Sequence, residues 1–493
     1  MNLLPTRYAD NACWTCRRRR RKCDRLLPAC RQCTSAQRQC LGYSTERPLR
    51  WTNSVASRGR LMGQAVPNVE IKVPLGRSLI DPGLQDLSLP MRGYIAYFEQ
   101  FCCQECVVYD SGPTNAFKEF LSLIPSSRGL CHIIASISAL YQAQRDVSNQ
   151  LRQGQLFFTD ALVEDGHGND WLTKQRYHDF LFHKQLALQF LRRECQQASP
   201  QDSFGIIASI LMFIWSELME SGSHTWVYHL EGLRQIMMRN ASDYLSGSAQ
   251  CLASSFSRLY EYFDTSYAIF EIIGSTLIQS KQSYEPLLMP TSALDILKRS
   301  ESLTWTGCPA ELLYILSLVH SASALDTHAP DVVLDLFCRL EAFSPEQWAI
   351  LSPLPSHVPN RFRVSSIYQA AICIYMCQVF SFPLGGPYRT PTDANAWLDH
   401  TIALFTTMDP QDRYFRALFW PTFVIGAEAQ TQTQRKVIME ALHHLWIAWA
   451  GAQNVVHAAE VLKEIWGRNS TDGVPPEPWI QFLYERGENW MFV

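Results

Sequence analysis

The chain has 493 residues, 47% hydrophobic and 18% charged, a composition typical of globular proteins. Its net charge is only −3, but residues 1–51 carry 12 Lys and Arg against 3 Asp and Glu, whereas residues 52–493 carry 31 against 43. No stretch approaches the roughly 20 uninterrupted apolar residues of a membrane span, and the N-terminus lacks the apolar core of a signal peptide. We therefore predict a soluble, intracellular protein with no membrane partner, whose basic head binds a polyanion and whose acidic body has another task.

Six of the sixteen cysteines lie within residues 13–40, where a Cys-x2-Cys-x6-Cys unit occurs twice with six residues between the copies. In a reducing compartment such spacing favours metal binding over disulfides. Structural zinc takes four tetrahedral ligands, so six cysteines overfill one site and underfill two separate sites. Two zinc ions need eight ligand positions, and two cysteines must therefore each bind both ions. The predicted ligands are Cys13, Cys16, Cys23, Cys30, Cys33 and Cys40.

The repeat makes the leading cysteine of each copy, Cys13 and Cys30, the natural bridge between the two ions. The remaining cysteines then complete one ion each. These pairs are Cys16 with Cys23 and Cys33 with Cys40. Six thiolates and two dications leave the cluster anionic, and nearby Arg and Lys side chains offset that charge.

Four residues around these cysteines add to the pattern: Arg17 after the second cysteine, Lys22 and Asp24 on either side of the third, and Pro28 two residues before the fourth. With these residues and all six spacings, the segment resembles the fungal binuclear zinc-cluster family of transcription regulators. The resemblance implies a short helix after each Cys-x2-Cys, bridging roles for the leading cysteines, and a tight, often cis, turn at Pro28.

The basic run from Arg17 to Lys22 is predicted to lie on the first helix and to cover more than one turn, so its side chains point in several directions. Some can bind phosphates, and one or two can reach base edges in the major groove. Similarity to the family assigns base reading of a CGG-like triplet to Arg19 and Arg20. Phosphate contact and cluster charge are assigned to Arg17, Lys22, Arg25, Arg31 and Arg38. The alternative is a nuclear-import signal or a solvated basic run without base recognition.

The residues that flank this head have linker-like composition. We predict a disordered N-terminus at 1–12, a zinc-cluster DNA-binding domain at 13–43 and a linker at 44–90. The linker contains Gly, Pro and Ser every few residues and no heptads. Dimerisation through a coiled coil is therefore not expected, and a monomer or a dimer formed through the body fits better.

The body, residues 91–493, shows helical spacing of apolar residues and little strand-like alternation, which predicts an all-helical domain. One example is Ile133, Ile137 and Leu140, and another is Phe182, Leu186 and Phe190. The nearly continuous apolar run at 204–218 predicts a central buried helix that is too short to span a bilayer. Further helices are predicted at 92–108, 222–239, 253–279, 309–325, 364–381, 394–407, 414–427, 432–449 and 453–467.

Four phrases in the body, at 94–117, 130–141, 223–237 and 419–435, are similar to the fungus-specific regulatory domain of the second type. That resemblance implies a regulatory domain and not a catalytic fold. The sequence contains no nucleotide-binding loop, no His-Glu-x-x-His and no Gly-x-Ser-x-Gly. The tail 475–493 alternates acidic and aromatic residues, and we expect it to pack on the core instead of forming an activation segment.

Several polar residues of the body have competing interpretations. The cysteines at 102, 103 and 106 are expected to be buried thiols and not a second metal site. The adjacent His443 and His444 point apart on a helix and are not expected to be ligands. Four charged or titratable residues lie in or beside apolar runs, where hydrogen bonds between helices are favoured over an effector pocket. They are Glu217, His229, Glu231 and Glu428.

The fold class predicted is a small two-helix binuclear zinc-cluster head and a large all-α regulatory domain. The predicted function is that of a nuclear, sequence-specific regulator of RNA polymerase II genes, not an enzyme, that binds double-stranded DNA and the transcription machinery or co-regulators. Its gene set could concern nutrient use, drug response or secondary metabolism. The alternative is a nuclear adaptor with non-specific nucleic-acid affinity.

Overall fold

The chain divides into two compact units, Met1–Leu79 and Ile80–Val493, which are described separately. The computed structural model describes residues 7–45, 84–108, 115–152, 171–197, 203–245, 253–278, 290–301, 304–323, 330–352, 355–387, 389–468 and 478–493. Most of the predicted linker, residues 46–83, therefore lies outside the described residues.

The first unit, the head, contains two one-turn helices, α1 (Trp14–Arg18) and α2 (Arg31–Ser35). The segment before α1 is paired to the loop between the helices. Ala9 N–H donates to the Arg25 carbonyl at 2.9 Å, and Leu27 N–H donates to the Arg7 carbonyl at 3.0 Å. The predicted disorder at 1–12 is therefore wrong for residues 7–9, because the inter-helix loop satisfies their backbone groups.

Hydrogen bonds also tie residues 42–44, which follow the last cysteine, to the rest of the head. The indole of Trp14 donates to the Ser44 carbonyl at 2.8 Å, and the Trp14 N–H donates to the Gly42 carbonyl at 3.0 Å. The Tyr43 hydroxyl donates to the carbonyl of Leu26. Residues beyond the last cysteine therefore belong to the folded head.

The second unit, the body, is built of helices joined by turns and loops within its described residues, which confirms the predicted all-α class. Its first helices are α3 (Leu89–Tyr97), α4 (Cys103–Glu105), α5 (Ala116–Leu121), α6 (Arg128–Arg152), α7 (Trp171–Gln197), α8 (Ser203–Glu220), α9 (Trp226–Leu245), α10 (Ala253–Gly274) and α11 (Pro290–Ser300). They are followed by α12 (Ala310–Ser323), α13 (Pro330–Ala342), α14 (Pro345–Ile350), α15 (Val358–Val379), α16 (Pro391–Thr406), α17 (Phe419–Ala427), α18 (Gln432–Ala448), α19 (Gln453–Arg468) and α20 (Trp479–Arg486).

Helix α8 is the centre of the body. Every residue from Ser203 to Met219 is buried, as its all-round apolar sequence predicts. By length and composition alone the helix could cross a membrane, contrary to the sequence-based prediction that it is too short. However, 94% of that window is buried inside the body, so its apolar surface is already covered by other helices.

Helix α7 packs along α6. Phe180, Ala187 and Leu191 are buried, whereas Phe182 is 50% exposed. Both sets of residues have helical spacing, so the sequence pattern alone could not choose between them. On α6, the helically spaced residues Ile133, Ile137 and Leu140 are buried.

Two of the four buried-charge predictions are confirmed as contacts between helices. Glu217 of α8 forms an ion pair with Lys184 of α7, in which Oε1 and Nζ lie 2.8 Å apart. Glu428 accepts hydrogen bonds from Gln378 Nε2 at 2.6 Å and Trp479 Nε1 at 2.9 Å. Burial raises the pKa of Glu428, and these donors oppose that shift.

The other two predictions are wrong in their details. The Glu231 side chain is 52% exposed, and its hydrogen-bond donor is Gln235 on the same helix. His229 contacts α8 through ring stacking on Phe213, with centroids 5.1 Å apart and planes inclined by 14°. Because α9 turns Glu231 to the solvent, this carboxylate needs no partner on another helix.

The C-terminal residues pack on the body, as the sequence predicts. Met491 and Phe492 are fully buried. The Asn489 carbonyl accepts from the Trp226 indole at 2.9 Å, and Met491 N–H donates to the Gly222 carbonyl at 2.9 Å. These contacts tie the end of the chain to the turn between α8 and α9.

Candidate metal centre and nucleic-acid interface

The N-cap residue of each head helix is a cysteine, Cys13 for α1 and Cys30 for α2. The Sγ of Cys13 accepts the N–H of Cys16 at 3.4 Å, and the Sγ of Cys30 accepts the N–H of Cys33 at 3.3 Å. The capping cysteines have extended backbones, with ψ of 151° and 144°. The helices therefore include the second cysteine of each pair, instead of starting after it as the resemblance implies, because the first sulfur satisfies a free N–H of the opening turn.

The six sulfurs form two groups of four, within each of which every sulfur lies within 4.8 Å of the others. The first group is Cys13, Cys16, Cys23 and Cys30, and the second is Cys13, Cys30, Cys33 and Cys40. The shared members are the two cysteines that the repeat predicts as bridges. Both shared side chains are fully buried, which places them at the centre of the cluster.

The sulfur separations fit metal ligation and not disulfides. Cys13 lies 3.6 Å from Cys30 and 3.8 Å from Cys33, and Cys16 lies 3.7 Å from Cys30. A disulfide would bring the sulfurs to about 2.05 Å. A tetrahedral zinc with Zn–S bonds of about 2.3 Å separates its thiolates by about 3.8 Å. The donor set and its geometry therefore suit zinc, which would supply the positive charge that holds the thiolates together.

The electrostatics of the sulfurs differ between the centre and the edge. Burial raises the pKa of Cys13 and Cys16, and raises that of Cys30 to about 12, because a buried thiolate loses its hydration. Burial also raises the pKa of Cys23 and Cys40, but hydrogen bonds from backbone N–H groups and from neighbouring thiols together lower the pKa of both. The surroundings therefore disfavour the thiolate forms of Cys13, Cys16 and Cys30, and favour those of Cys23 and Cys40.

The basic run leaves the helix after one turn, so the prediction that it lies on α1 as a whole is wrong. Helix α1 ends at Arg18, Arg19 is its C-cap, and Arg20 has a left-handed backbone with φ of 55°. Arg21 N–H then donates to the Cys16 carbonyl at 3.0 Å. This reversal lets a six-residue spacing bring Cys23 back to the cluster. It places Arg19 and Arg20 directly beyond the end of the helix.

All the cationic residues assigned to DNA contact are exposed. They are Arg17, Arg19, Arg20, Lys22, Arg25, Arg31 and Arg38. The guanidinium of Arg17 lies over the Trp14 ring, 4.5 Å from its centroid, and Arg25 Nη1 donates to the Asp10 carbonyl at 3.1 Å. The structure thus holds two of these side chains locally, and the six consecutive cations from Arg17 to Lys22 are all exposed.

The loop between the halves is fixed by residues of the motif. Both carboxylate oxygens of Asp24 accept the N–H of Arg31, at 3.0 and 3.2 Å. The Leu27–Pro28 peptide bond is cis. Sequence reasoning did not identify Tyr8, which forms an antiparallel bridge with Leu26 on this loop. A single bridge between two short segments gives no alternation that could reveal it in the sequence.

A small two-helix head with a shared-thiolate centre and an exposed basic run defines a zinc-cluster DNA-binding module. The model of the fungal Zn(2)-Cys(6) binuclear cluster domain matches residues 11–50, and that of the fungal specific transcription factor domain matches residues 93–493. The chain belongs to this family of fungal transcription regulators. Membership of the cluster domain implies zinc binding and DNA binding.

Two curated relatives are similar along most of the chain. The acriflavine sensitivity control protein acr-2 of Neurospora crassa is 23% identical over 437 residues, which cover 84% of this chain and 68% of the relative. A phomenoic acid biosynthesis cluster-specific transcriptional regulator of Leptosphaeria maculans is 22% identical over 485 residues, which cover 92% of this chain and 85% of that protein. No solved structure matches the chain significantly.

The candidate ligands of the body do not come together as a metal site. Cys102 and Cys103 are buried, and burial raises the pKa of Cys102 and Cys106 well above the usual range, as expected for structural thiols. Among the described residues, the groups of cysteine, histidine or carboxylate with metal-ligand spacing lie in the head alone. Burial lowers the pKa of both His443 and His444 and favours their neutral forms.

Proposed function

We propose that the protein is a nuclear regulator that reads a CGG-like triplet with the first half of its head. Two zinc ions are held by the six cysteines, and Cys13 and Cys30 bind both. Arg19 and Arg20 contact base edges, and the other exposed cations, Arg17, Lys22, Arg25, Arg31 and Arg38, bind phosphates.

One observation carries this proposal: the cluster turns the chain sharply at Arg20, at the exposed end of α1. The guanidinium groups of Arg19 and Arg20 therefore stand on a segment that hydrogen bonds anchor to the cluster. A fixed backbone supports bidentate pairing of Arg with guanine O6 and N7. A solvated basic run would not hold the guanidinium groups in the orientation that this pairing requires.

The body is proposed to regulate the head and to bind co-regulators, without catalysis of its own. The contacts of Glu217 and Glu428 connect helices, which supports a structural role for these carboxylates. The relatives, an acriflavine sensitivity control protein and a phomenoic acid biosynthesis cluster-specific regulator, support target genes in drug response or secondary metabolism. Genome-wide occupancy of the protein would identify them, and binding confined to nutrient-use genes would contradict this choice.

The sequence-reading proposal is tested by selecting DNA sequences with residues 1–60 in the presence of zinc. We expect enrichment of a CGG-like triplet. The same selection with Arg20→Gln is the matched control, since Gln37 shows that glutamine adopts the same left-handed backbone. If the wild-type fragment binds DNA but enriches no triplet, the protein is an adaptor with non-specific affinity and the proposal is wrong.

A further inference from the structure

A cavity in the body has a lining that no role described above uses. It lies between α13, α15 and α16 and has a volume of about 130 Å³. This is close to the roughly 150 Å³ of a cavity that holds one benzene ring. Its apolar wall includes Leu340, Phe362, Trp397 and Leu404, and its polar wall includes Glu341, Gln369, Arg389 and His400.

Arg389 is the cation of the polar wall, and its position is well defined. Its Nη1 donates to Glu341 Oε1 and to the Gly385 carbonyl, both at 2.8 Å. Its guanidinium carbon lies 4.8 Å from the centroid of the Trp397 ring. Both hydrogen bonds use Nη1, so within the described part of the chain the Nε and Nη2 donors have no protein acceptor.

The turn before Arg389 leaves room for its side chain. Gly385 and Gly386 both have left-handed backbones, with φ of 86° and 80°. A Cβ on Gly385 would lie 2.8 Å from Arg389 Cδ, and one on Gly386 would lie 2.8 Å from the Phe337 ring. Because any larger residue at 385 would displace the stem of Arg389, the turn holds this cation at the cavity.

We propose that this cavity binds a small aromatic carboxylate of one ring. The remaining N–H donors of Arg389 match a carboxylate in a bidentate pair, a geometry that an ammonium group cannot provide. The ring occupies the apolar wall beside Trp397 and Phe362. The volume of about 130 Å³ is enough for a single ring.

Glu341 opposes the proposed ligand and makes the proposal testable. Its carboxylate already pairs with Arg389, and its side chain is 41% exposed against 22% for Arg389. An incoming carboxylate therefore shares the guanidinium with a partly solvated competitor. Removal of that negative charge strengthens binding of an anion, whereas it would not strengthen binding of a neutral ring.

The experiment titrates the full-length, zinc-loaded protein with benzoate and, in parallel, with benzamide, which has the same shape and no charge. The measurements are calorimetry and the thermal unfolding midpoint. For a ligand of this size we expect a benzoate Kd on the order of 1 mM, with benzamide about tenfold weaker. Equal binding of the two probes, or no saturable binding of benzoate, would overturn the proposal.

Three variants complete the test. We expect Arg389→Gln to weaken benzoate binding about tenfold and Glu341→Gln to strengthen it several-fold. Ala370→Leu fills the cavity at a buried lining position, and it should abolish binding without lowering the unfolding midpoint. If Arg389→Gln does not fold, the other two variants still test whether benzoate binds in this cavity. Unchanged affinity in Glu341→Gln or in folded Ala370→Leu contradicts the site.

Discussion

The two halves of the head have the same backbone and different side chains. A shift of 17 residues superposes α1 on α2 in sequence, and the matching left-handed residues are Arg20 and Gln37, with φ of 55° and 50°. The matching hydrogen bonds to the second cysteine of each pair come from Arg21 and Arg38, at 3.0 and 2.9 Å. Yet the positions of Arg19 and Arg20 in the first half correspond to Ala36 and Gln37 in the second.

This difference separates what the metal centre needs from what the DNA needs. The centre needs three cysteines per half and a backbone that returns to them, and both halves provide these. The proposed base recognition uses cations at the end of the helix, at positions 19 and 20, and the matching positions 36 and 37 of the second half carry none. The halves should therefore be equivalent in tests of metal binding and unequal in tests of DNA binding.

The largest effect should come from removing a shared sulfur. Cys13→Ser takes one ligand from both four-sulfur groups, whereas Cys40→Ser leaves the first group complete. Since metal binding supplies most of the folding free energy of so small a unit, we expect Cys13→Ser to lower DNA affinity at least about a hundredfold and to lose both zinc ions. Native mass spectrometry and a DNA-binding assay measure this.

Cys195→Ser, at an exposed cysteine of the body, is the control and should keep two zinc ions. Chelation of zinc from the wild-type protein should reproduce the Cys13→Ser result. A Cys13→Ser protein that retains two ions, or a head that binds DNA after metal removal, would show that the cysteine assignment is wrong.

The second-largest effect is expected when side chains are exchanged between the two halves of the head. Arg20→Gln gives the first half the residue of the second, and it should reduce the preference for the cognate triplet by about 1–3 kcal/mol, because one bidentate base contact is lost. The opposite change, Gln37→Arg, should leave that preference intact. Competition binding with cognate and scrambled DNA measures both, and equal losses on the two DNAs for Arg20→Gln would show that Arg20 binds phosphate only.

A smaller effect is expected for the cation of the second half. Arg38→Ala should weaken binding several-fold on all sequences and reduce the slope of log K against log salt by about 0.9, because one phosphate contact is lost. The matched change in the first half is Arg21→Ala. DNA titrations at several salt concentrations measure the affinity and its salt dependence. A change in sequence preference for Arg38→Ala would mean that the second half also contacts bases.

The smallest effect concerns the backbone that both halves share. Gln37→Gly relieves a left-handed conformation and should stabilise the head by up to about 1 kcal/mol, partly offset by the greater freedom of glycine in the unfolded chain. DNA affinity should not change. The chelator concentration that removes half of the zinc reports the stability, and a lower value than in wild type would show that the Gln37 side chain supports the fold.

The sequence predicted the features that depend on counting ligands, and missed those that depend on three-dimensional competition. The shared positions of Cys13 and Cys30 follow from the repeat. The end of α1 at Arg18 does not, because a run of arginines has good helix propensity and only the return of Cys23 to the cluster stops it.

The same limit applies to the body. The central helix α8 was predicted because its apolar character has no competing interpretation. The inward face of α7 was not, since α7 has apolar residues on two stripes. Helix α13 was missed for a related reason: Val332 and Leu334 are exposed and obscure its period. Both α13 and α14 begin with a proline, Pro330 and Pro345, which is a helix-start signal in the sequence.

The contacts of residues 42–44 determine where a chimera that exchanges heads between regulators should be joined. Trp14, which supports Arg17 on one side, is bonded on the other to carbonyls of residues 42 and 44. A chimera joined directly after Cys40 would keep every sulfur and still lose these bonds, together with the tie from Tyr43 to the inter-helix loop. A transplant that starts before Arg7 and continues through Thr45 would carry all of these hydrogen bonds, so grafted specificity should depend on where the junction is placed.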